Sequence, residues 1–367
     1  VNKDGLIETV GSGEPRIDYK DDAKGALLLE NTRSNLALWS DAFDNVAWAK
    51  TASSITANAT TSPDGTTNAD KLVESVAVNL HRVGQGSIPI TSGQVYTFSF
   101  YVKAAERDEL ELQRINTSGT VFNSISATTA DLTLGTLSVG SNVTASSISS
   151  VGNGWYRISL SLTAIATGSG GLNIGMEKDG NVSYQGDGVS GVYLYGFQAE
   201  QGSYPTSYIP TQGQSGGVTR VADACNNGGN EQIINSTEGV LYAEISALSN
   251  SGNTYRLIGL NNGSGTNTNR IFIGYTNNNS IYAAINDTTI AFTVSSFDVK
   301  NFNKVAVVYN GSIAKLFING SEVGSGITNA PTLSGLSRVD FSGSSTGANE
   351  FKGNTKDVRV YNTALTD

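Results

Sequence analysis

The feature that most constrains this chain is strict apolar/polar alternation, repeated along most of its length, with almost no apolar spacing of helical type. In Val95–Lys103, Tyr96, Phe98, Phe100 and Val102 share one face, while Thr97, Ser99, Tyr101 and Lys103 share the other. Trp155–Leu162 and Leu110–Ile115 alternate in the same way. A period of two is the signature of strands with one face in a core and the other in water. A single helical turn around Asp41–Trp48 is the one exception to the pattern. Turn formers punctuate the strands at Pro63-Asp64-Gly65, Ser92-Gly93, Gly152-Asn153-Gly154 and Lys178-Asp179-Gly180. The 42 glycines fit such a chain, because tight turns need residues that tolerate positive φ. The predicted fold class is all-β, with two β-sandwich (jelly-roll) domains in tandem over 367 residues.

The organisation predicted along the chain is an N-terminal connector over 1–24, a first sandwich over 25–210, a flexible linker over 211–217 and a second sandwich over 218–367. In the second sandwich, strands are predicted at Gly239–Ile245, Arg256–Leu260, Arg270–Tyr275, Ser280–Ile285, Ile290–Val294, Asn303–Tyr309, Ser312–Ile318 and Lys356–Tyr361. Asn310-Gly311 and Asn319-Gly320 are hairpin signals. No tandem repeat of fixed short period is present.

Charge and composition exclude several classes. The net charge is −9, opposite in sign to what phosphate neutralisation or an anionic membrane surface requires. Nucleic acid and membrane insertion are therefore not predicted as partners, and no apolar run is long enough to span a bilayer. The single cysteine, Cys225, cannot pair within the chain, so cysteine usage leaves the redox compartment open. The chain opens Val1-Asn2-Lys3-Asp4-Gly5 without an initiator Met and reads as a fragment, so the lack of a signal sequence carries no weight. One histidine, His81, is too few for a multi-histidine metal site, and no nucleophile elbow or phosphate-binding loop is present. Glycoside hydrolysis needs two placed carboxylates. The Glu-x-Asp-x-x-Glu strand of concanavalin-like glycosidases is absent, and the pair Asp108/Glu109 reads as solvated loop charge. No catalytic residues are predicted, and the protein is read as a non-enzyme.

The order of several fragments in the first half resembles a domain of phage tail and fibre proteins and, more distantly, the jelly-roll carbohydrate-binding modules of secreted glycosidases. The fragments are Ala26–Leu36, Trp39–Phe43 with Trp48, Pro63–Thr67, Ala69–Leu72, Tyr96–Ala104, Gly154–Arg157, Gly196–Glu200, Pro205–Thr211 and Thr219–Asp223. In the second half, Val307–Gly311, Leu316–Val323 and Asp357–Thr366 resemble the laminin-G, pentraxin and concanavalin A-like lectin group. The resemblance implies a non-catalytic glycan-binding or adhesion protein at a virion surface or outside the cell, contacting cell-surface or extracellular polysaccharide. It also implies a homo-oligomer, a trimer if the chain belongs to a fibre. The alternatives are the carbohydrate-binding region of a secreted polysaccharide-degrading enzyme, and a structural fibre spacer.

Sugars offer apolar C–H faces to aromatic rings, and hydroxyls to amides, carboxylates and Arg. On that ground the polar face of the first sandwich is the candidate binding surface, with Tyr101, Lys103, Trp155 and Arg157. The segment Leu80–Gln85 adds either His81 and Gln85, or Arg82. Trp39 and Trp48 are assigned to the core, and Tyr193 and Tyr195 to one face with Leu194 on the other. Jelly-roll modules of this type carry a structural Ca²⁺ between first and last strands, a role for which Asp41 and Glu200 are the candidates by position.

Overall fold

A computed structural model describes residues 1–126, 128–250, 254–266, 268–286, 290–343 and 346–365. Among these residues every regular element is a strand and none is a helix, so the all-β expectation holds. The expected helical turn is a run of turns, in which Ala42, Asn45 and Trp48 donate to the carbonyls of Trp39, Ala42 and Asn45. The chain divides into two compact units. Unit 1 is Val1–Thr9 with Thr32–Val221, and unit 2 is Val10–Asn31 with Ala222–Asp367.

Unit 1 is a sandwich of two antiparallel sheets. One runs Thr136–Ser138, Thr128–Asp131, Glu109–Ser118, Gly168–Glu177, Val78–Ile90, Ser183–Gln185, with Ala49–Thr51 also on Val78–Ile90. The other runs Val143–Gly152, Trp155–Thr163, Val95–Ala104, Gly191–Gln201, Ala69–Glu74, Ser53–Thr60. Alternation sends Phe98, Phe100, Ile158, Leu160 and Leu194 inward from the second sheet, to meet Leu110, Leu112, Leu172 and Ile174 from the first. Trp48 fills one end of this core, its ring 4.6 Å from Phe43 and 5.0 Å from Phe197. Phe197 reaches the core because Gly196, at φ 59°, opens a bulge between Tyr195 and Gln198 and reverses which face the strand presents.

Unit 2 is a second sandwich. One sheet runs Ile17–Asp18, Ala26–Leu29, Gly353–Tyr361, Gly239–Ala247, Asn303–Tyr309, Ile313–Ile318, Ser321–Thr328. The other runs Ile290–Val294, Ile281–Ile285, Arg270–Tyr275, Arg256–Asn261, Arg338–Asp340. Its core holds Leu241, Ile245, Ile258, Leu260, Ile271, Ile273, Val305, Val307 and Leu316. Asn319 and Gly320, at φ 52° and 89°, make the left-handed turn that their sequence signals.

The units differ from the domains expected from sequence at three places. Ala26–Leu29 does not open unit 1 but pairs with Gly353–Tyr361, through Leu27↔Thr355, Leu28↔Asn354 and Leu29↔Gly353, and puts Leu29 into the core of unit 2. Residues 1–24 are not a single connector: Ile7 donates to the Pro63 carbonyl in unit 1, whereas Ile17 and Asp18 pair with Leu27 and Ala26 in unit 2. The stretch 211–217 is not free: Thr211 is buried and donates to Ala37 O and Ser40 Oγ, and the following strand Val218–Arg220 pairs with Arg33–Asn35. Strand pairing at this separation leaves no local trace in the sequence.

Candidate functional site

The structure brings together the four residues expected on the polar face of the second sheet of unit 1. Trp155 pairs with Lys103 and Arg157 with Tyr101, while Tyr193 and Tyr195 lie across from Lys103 and Tyr101. That face is covered, however. Trp155 and Tyr101 are buried, with Tyr195 and Ala69, in a second small core that Ile7, Val151, Tyr193 and Tyr208 flank. Trp155 Nε1 donates to Thr61 O, and Tyr195 donates to Asp64. Arg157 stacks over the Tyr101 ring at 5.3 Å and donates to Ser99 Oγ and Thr206 O. Lys103 is half-buried beside Gly154. Alternation cannot distinguish a wet face from one roofed by distant loops, so the expectation that Tyr101, Trp155 and Arg157 meet a ligand is corrected to a structural role.

His81 and Gln85 point inward. The His81 ring lies between the carbonyls of Ala52 and Tyr184, and Gln85 holds Leu38 by its N–H and its carbonyl. Both are structural, not ligand-binding as expected. Glu200 is fully buried, its carboxylate accepting from Gln198 Nε2, Thr206 N and Thr206 Oγ1; burial pushes its carboxyl up. Asp41 faces Asp64 instead, and burial followed by that second carboxylate raises it. With Glu200 spent on protein donors, these two residues do not fit a shared Ca²⁺ site. Among the described residues no three His, Cys, Asp or Glu side chains gather to hold a metal ion.

Arg82 is the exception. It points out from the other sheet, and the register builds a surface around it. Thr51, Arg82, Gly175, Glu111 and Thr129 form one row across five strands. Ala49, Gly84, Asn173 and Gln113 form the next. Glycine on this face removes side chains where a strand interior normally carries them, which lets another backbone or a ligand approach closely. Asn173 lies down over Gly84, and Thr117 and Ile115 over Gly86. The bare position is Gly175, where a Cβ would meet no atom nearer than 3.5 Å. Arg82 Nη1 donates to Gln113 Oε1 at 2.9 Å, and Gln113 Nε2 donates to Glu111 Oε1 at 2.7 Å. Arg82 Nε and Nη2, the Asn173 amide and Glu111 Oε2 make no hydrogen bond within the described residues. The Glu177 carboxyl, also on this face, is pushed up to about 7 by burial and then by Glu111 and Glu109. The result is a shallow polar floor with donors and acceptors side by side, the chemistry that hydroxyl-rich ligands need. Sequence reasoning missed Glu111, Gln113, Asn173 and Glu177. The available signal is glycine at period two, in Gly84-Gln85-Gly86 and Gly171-Leu172-Asn173-Ile174-Gly175, a spacing that turn chemistry does not require.

No described helix is long and apolar enough to cross a membrane. No curated protein matches the chain. Among solved structures, the carbohydrate-binding module CBM40 of Ruminococcus gnavus IT-sialidase, bound to α2,3-sialyllactose, is 17% identical with a TM-score of 0.31, covering 40% of this chain and 92% of that one. The NanB sialidase of Streptococcus pneumoniae, in complex with a chlorobenzylammonio ethanesulfonate, is 17% identical with a TM-score of 0.28, covering 36% and 23%. Domains LG4-5 of the mouse laminin α1 chain are 9% identical with a TM-score of 0.26, covering 80% and 92%. Residues 232–367 match the Laminin_G_3 family, described as the concanavalin A-like lectin/glucanases superfamily. The C-terminal part of the chain, over 232–367, is therefore a laminin-G/concanavalin A-like lectin domain.

Proposed function

We propose that the protein is a non-catalytic glycan-binding protein, and that unit 1 binds through the sheet face around Arg82. The observation that carries this reading is the Arg82–Gly175–Glu111 row beside Asn173 and Gln113, in which unspent donors and acceptors surround a position without a side chain. A sugar ring seated over Gly175 would offer one hydroxyl to the guanidinium and another to the carboxylate. The face carries no aromatic ring, so hydrogen bonding rather than stacking supplies the affinity. Single-site binding is then modest, and multiple copies raise it without new contacts. That arithmetic suits an oligomeric protein displayed outside the cell. The resemblance of the first half to phage fibre domains supports placing it on a virion that contacts host surface carbohydrate.

The test is a glycan array, with a whole-cell binding assay, on the full chain as wild type, Arg82→Ala and Asn173→Ala. Loss of about tenfold in binding for both variants is expected, as for the removal of a hydrogen bond to a charged or polar group. Equal binding by all three proteins, or binding of no glycan even when the chain is multimerised, would overturn the reading.

A further inference from the structure

Unit 2 contains a cleft of about 580 Å³ between the segment 227–232, the end of the strand Arg256–Asn261 and the short strand Arg338–Asp340. Asn227, Asn230, Glu231, Gln232, Asn262 and Arg338 line it, and glycine and serine complete the wall. Its walls carry no aromatic or aliphatic side chain. A second cleft, of about 460 Å³, shares Glu231 and Gln232.

The guanidinium of Arg338 is built into place. Its Nε donates to Asp340 Oδ2 at 3.0 Å and to Asn261 Oδ1 at 3.2 Å. Asp340 is fully buried, and it also accepts from Asn261 Nδ2 and from the N–H of Asn227. The same carboxylate therefore orients Arg338 and ties down the segment that forms the opposite wall, which Gly228 also bridges to Val339. Arg338 Nη1 and Nη2 hydrogen-bond to no described residue, so two donors of a rigid fork are presented to the cleft. The Glu231 carboxylate and the side-chain amides of Gln232 and Asn227 are likewise unspent.

The geometry points to a second glycan site in this cleft, specific for neutral sugars with vicinal hydroxyls. Each of two adjacent hydroxyls can accept from one wall and donate to the other, Arg338 supplying the donors and Glu231 the acceptor. Charge decides between sugar classes. Asp340 cancels Arg338, so Glu231 is left as the net charge at the cleft, and a carboxylated sugar is repelled. The adjoining cleft gives room for a second sugar unit on the far side of Glu231 and Gln232, which favours an oligosaccharide over a single ring. This site belongs to unit 2 and stands whether or not the Arg82 face binds.

The experiment uses the full chain carrying Arg82→Ala and Asn173→Ala, which removes the unit 1 face from the readout. Saturation-transfer NMR is run with methyl glycosides of neutral hexoses, their disaccharides and the matching uronic acids. Neutral disaccharides should bind this background. Adding Glu231→Ala and Gln232→Ala should weaken that binding about tenfold or more. Both side chains are exposed and hold no structural hydrogen bond, so melting should be unchanged. Three outcomes overturn the proposal: no neutral sugar bound at millimolar concentration, preference for the uronic acids, or binding indifferent to the Glu231 and Gln232 changes.

Discussion

Arg16 Nη1 lies 2.7 Å from Asp223 Oδ2, a contact that joins positions 207 residues apart within unit 2. Its Nη2 reaches Glu30, whose side chain is almost wholly buried. Asp223 in turn accepts from the N–H of Glu30. The segment Val10–Asn31 is thus pinned to the start of the second half of the unit, while unit 1 occupies most of the chain between them.

Arg16→Ala should therefore destabilise unit 2 and leave unit 1 largely intact. Removing one partner of a buried pair leaves a carboxylate uncompensated, and partial exposure of Arg16 tempers the cost to about 2–3 kcal/mol. Denaturant unfolding followed by hydrogen exchange of the two units checks this. Equal protection in unit 2 before and after the change would show that the contact carries no stability.

Trp155→Ala and Tyr101→Ala should act on stability. Both rings are buried, and truncating a buried aromatic costs about 3–5 kcal/mol through lost transfer energy and the cavity left behind. A lower melting temperature for each variant is the expected result. A variant that melts like wild type yet loses glycan binding would return these residues to the ligand face.

Chelation should have no effect on unit 1 at the Asp41 and Glu200 positions, because Glu200 accepts from three protein donors and offers no free geometry to a cation. Melting curves in EDTA and in added Ca²⁺ should superimpose. A rise in melting temperature with Ca²⁺ that Glu200→Gln abolishes would reverse this.

Glu177 sets a pH dependence with a definite sign. Its folded carboxyl titrates near 7, above the ordinary value of 4.5, so the fold favours the protonated form. The associated stability is complete below about pH 4.5 and is lost as pH rises through 7. Solvent screening of this partly exposed carboxyl holds the contribution to about 1–2 kcal/mol. Wild type should lose stability relative to Glu177→Gln between pH 5 and pH 8, approximately the window of this shift. Parallel stability profiles for the two proteins across that window would show that Glu177 is not the titrating group.

How much of this was legible in the sequence depends on the range of the interaction. Period-two patterning correctly separated Phe98 and Phe100 from Tyr101, and Leu194 from Tyr195, because side-chain direction in a strand is a local property. It could not foresee that Ile7 and Tyr208 flank the Tyr101 side, since those residues arrive from distant chain. Ala26–Leu29 falls within the first sandwich expected over 25–210, but its partner sheet is set by pairing across more than three hundred positions. Arg338–Asp340 is too short for any period to register, yet it supplies the residue around which the unit 2 cleft is built. In the candidate site of unit 1, Arg82 was visible as one of two options for its strand. Its neighbours Gln113 and Asn173 were not, because they are adjacent only through strand register.

The glycine floor yields the sharpest separation of binding from folding. Gly84 and Gly175 lie on the same face, but their surroundings differ. A Cβ on Gly84 would fall 2.2 Å from Asn173 Oδ1 and 2.9 Å from the Leu172 carbonyl oxygen, so Gly84→Ala should strain the sheet itself. A Cβ on Gly175 would have Glu111 O at 3.5 Å and Arg82 Cβ at 3.6 Å, ordinary van der Waals contact. Gly175→Ala should therefore fold with stability within about 0.5 kcal/mol of wild type. Ala in a strand is no less favourable than Gly, and the reduced freedom of its unfolded chain acts in the same stabilising direction. The new methyl group would stand between Arg82 and Glu111, where a sugar ring has to approach the backbone. Unchanged melting with glycan affinity reduced about tenfold is the expected pair of results, measured by denaturation and by array titration on the same preparation. Unchanged melting with unchanged affinity would remove this face from the binding site, whatever glycan the protein takes.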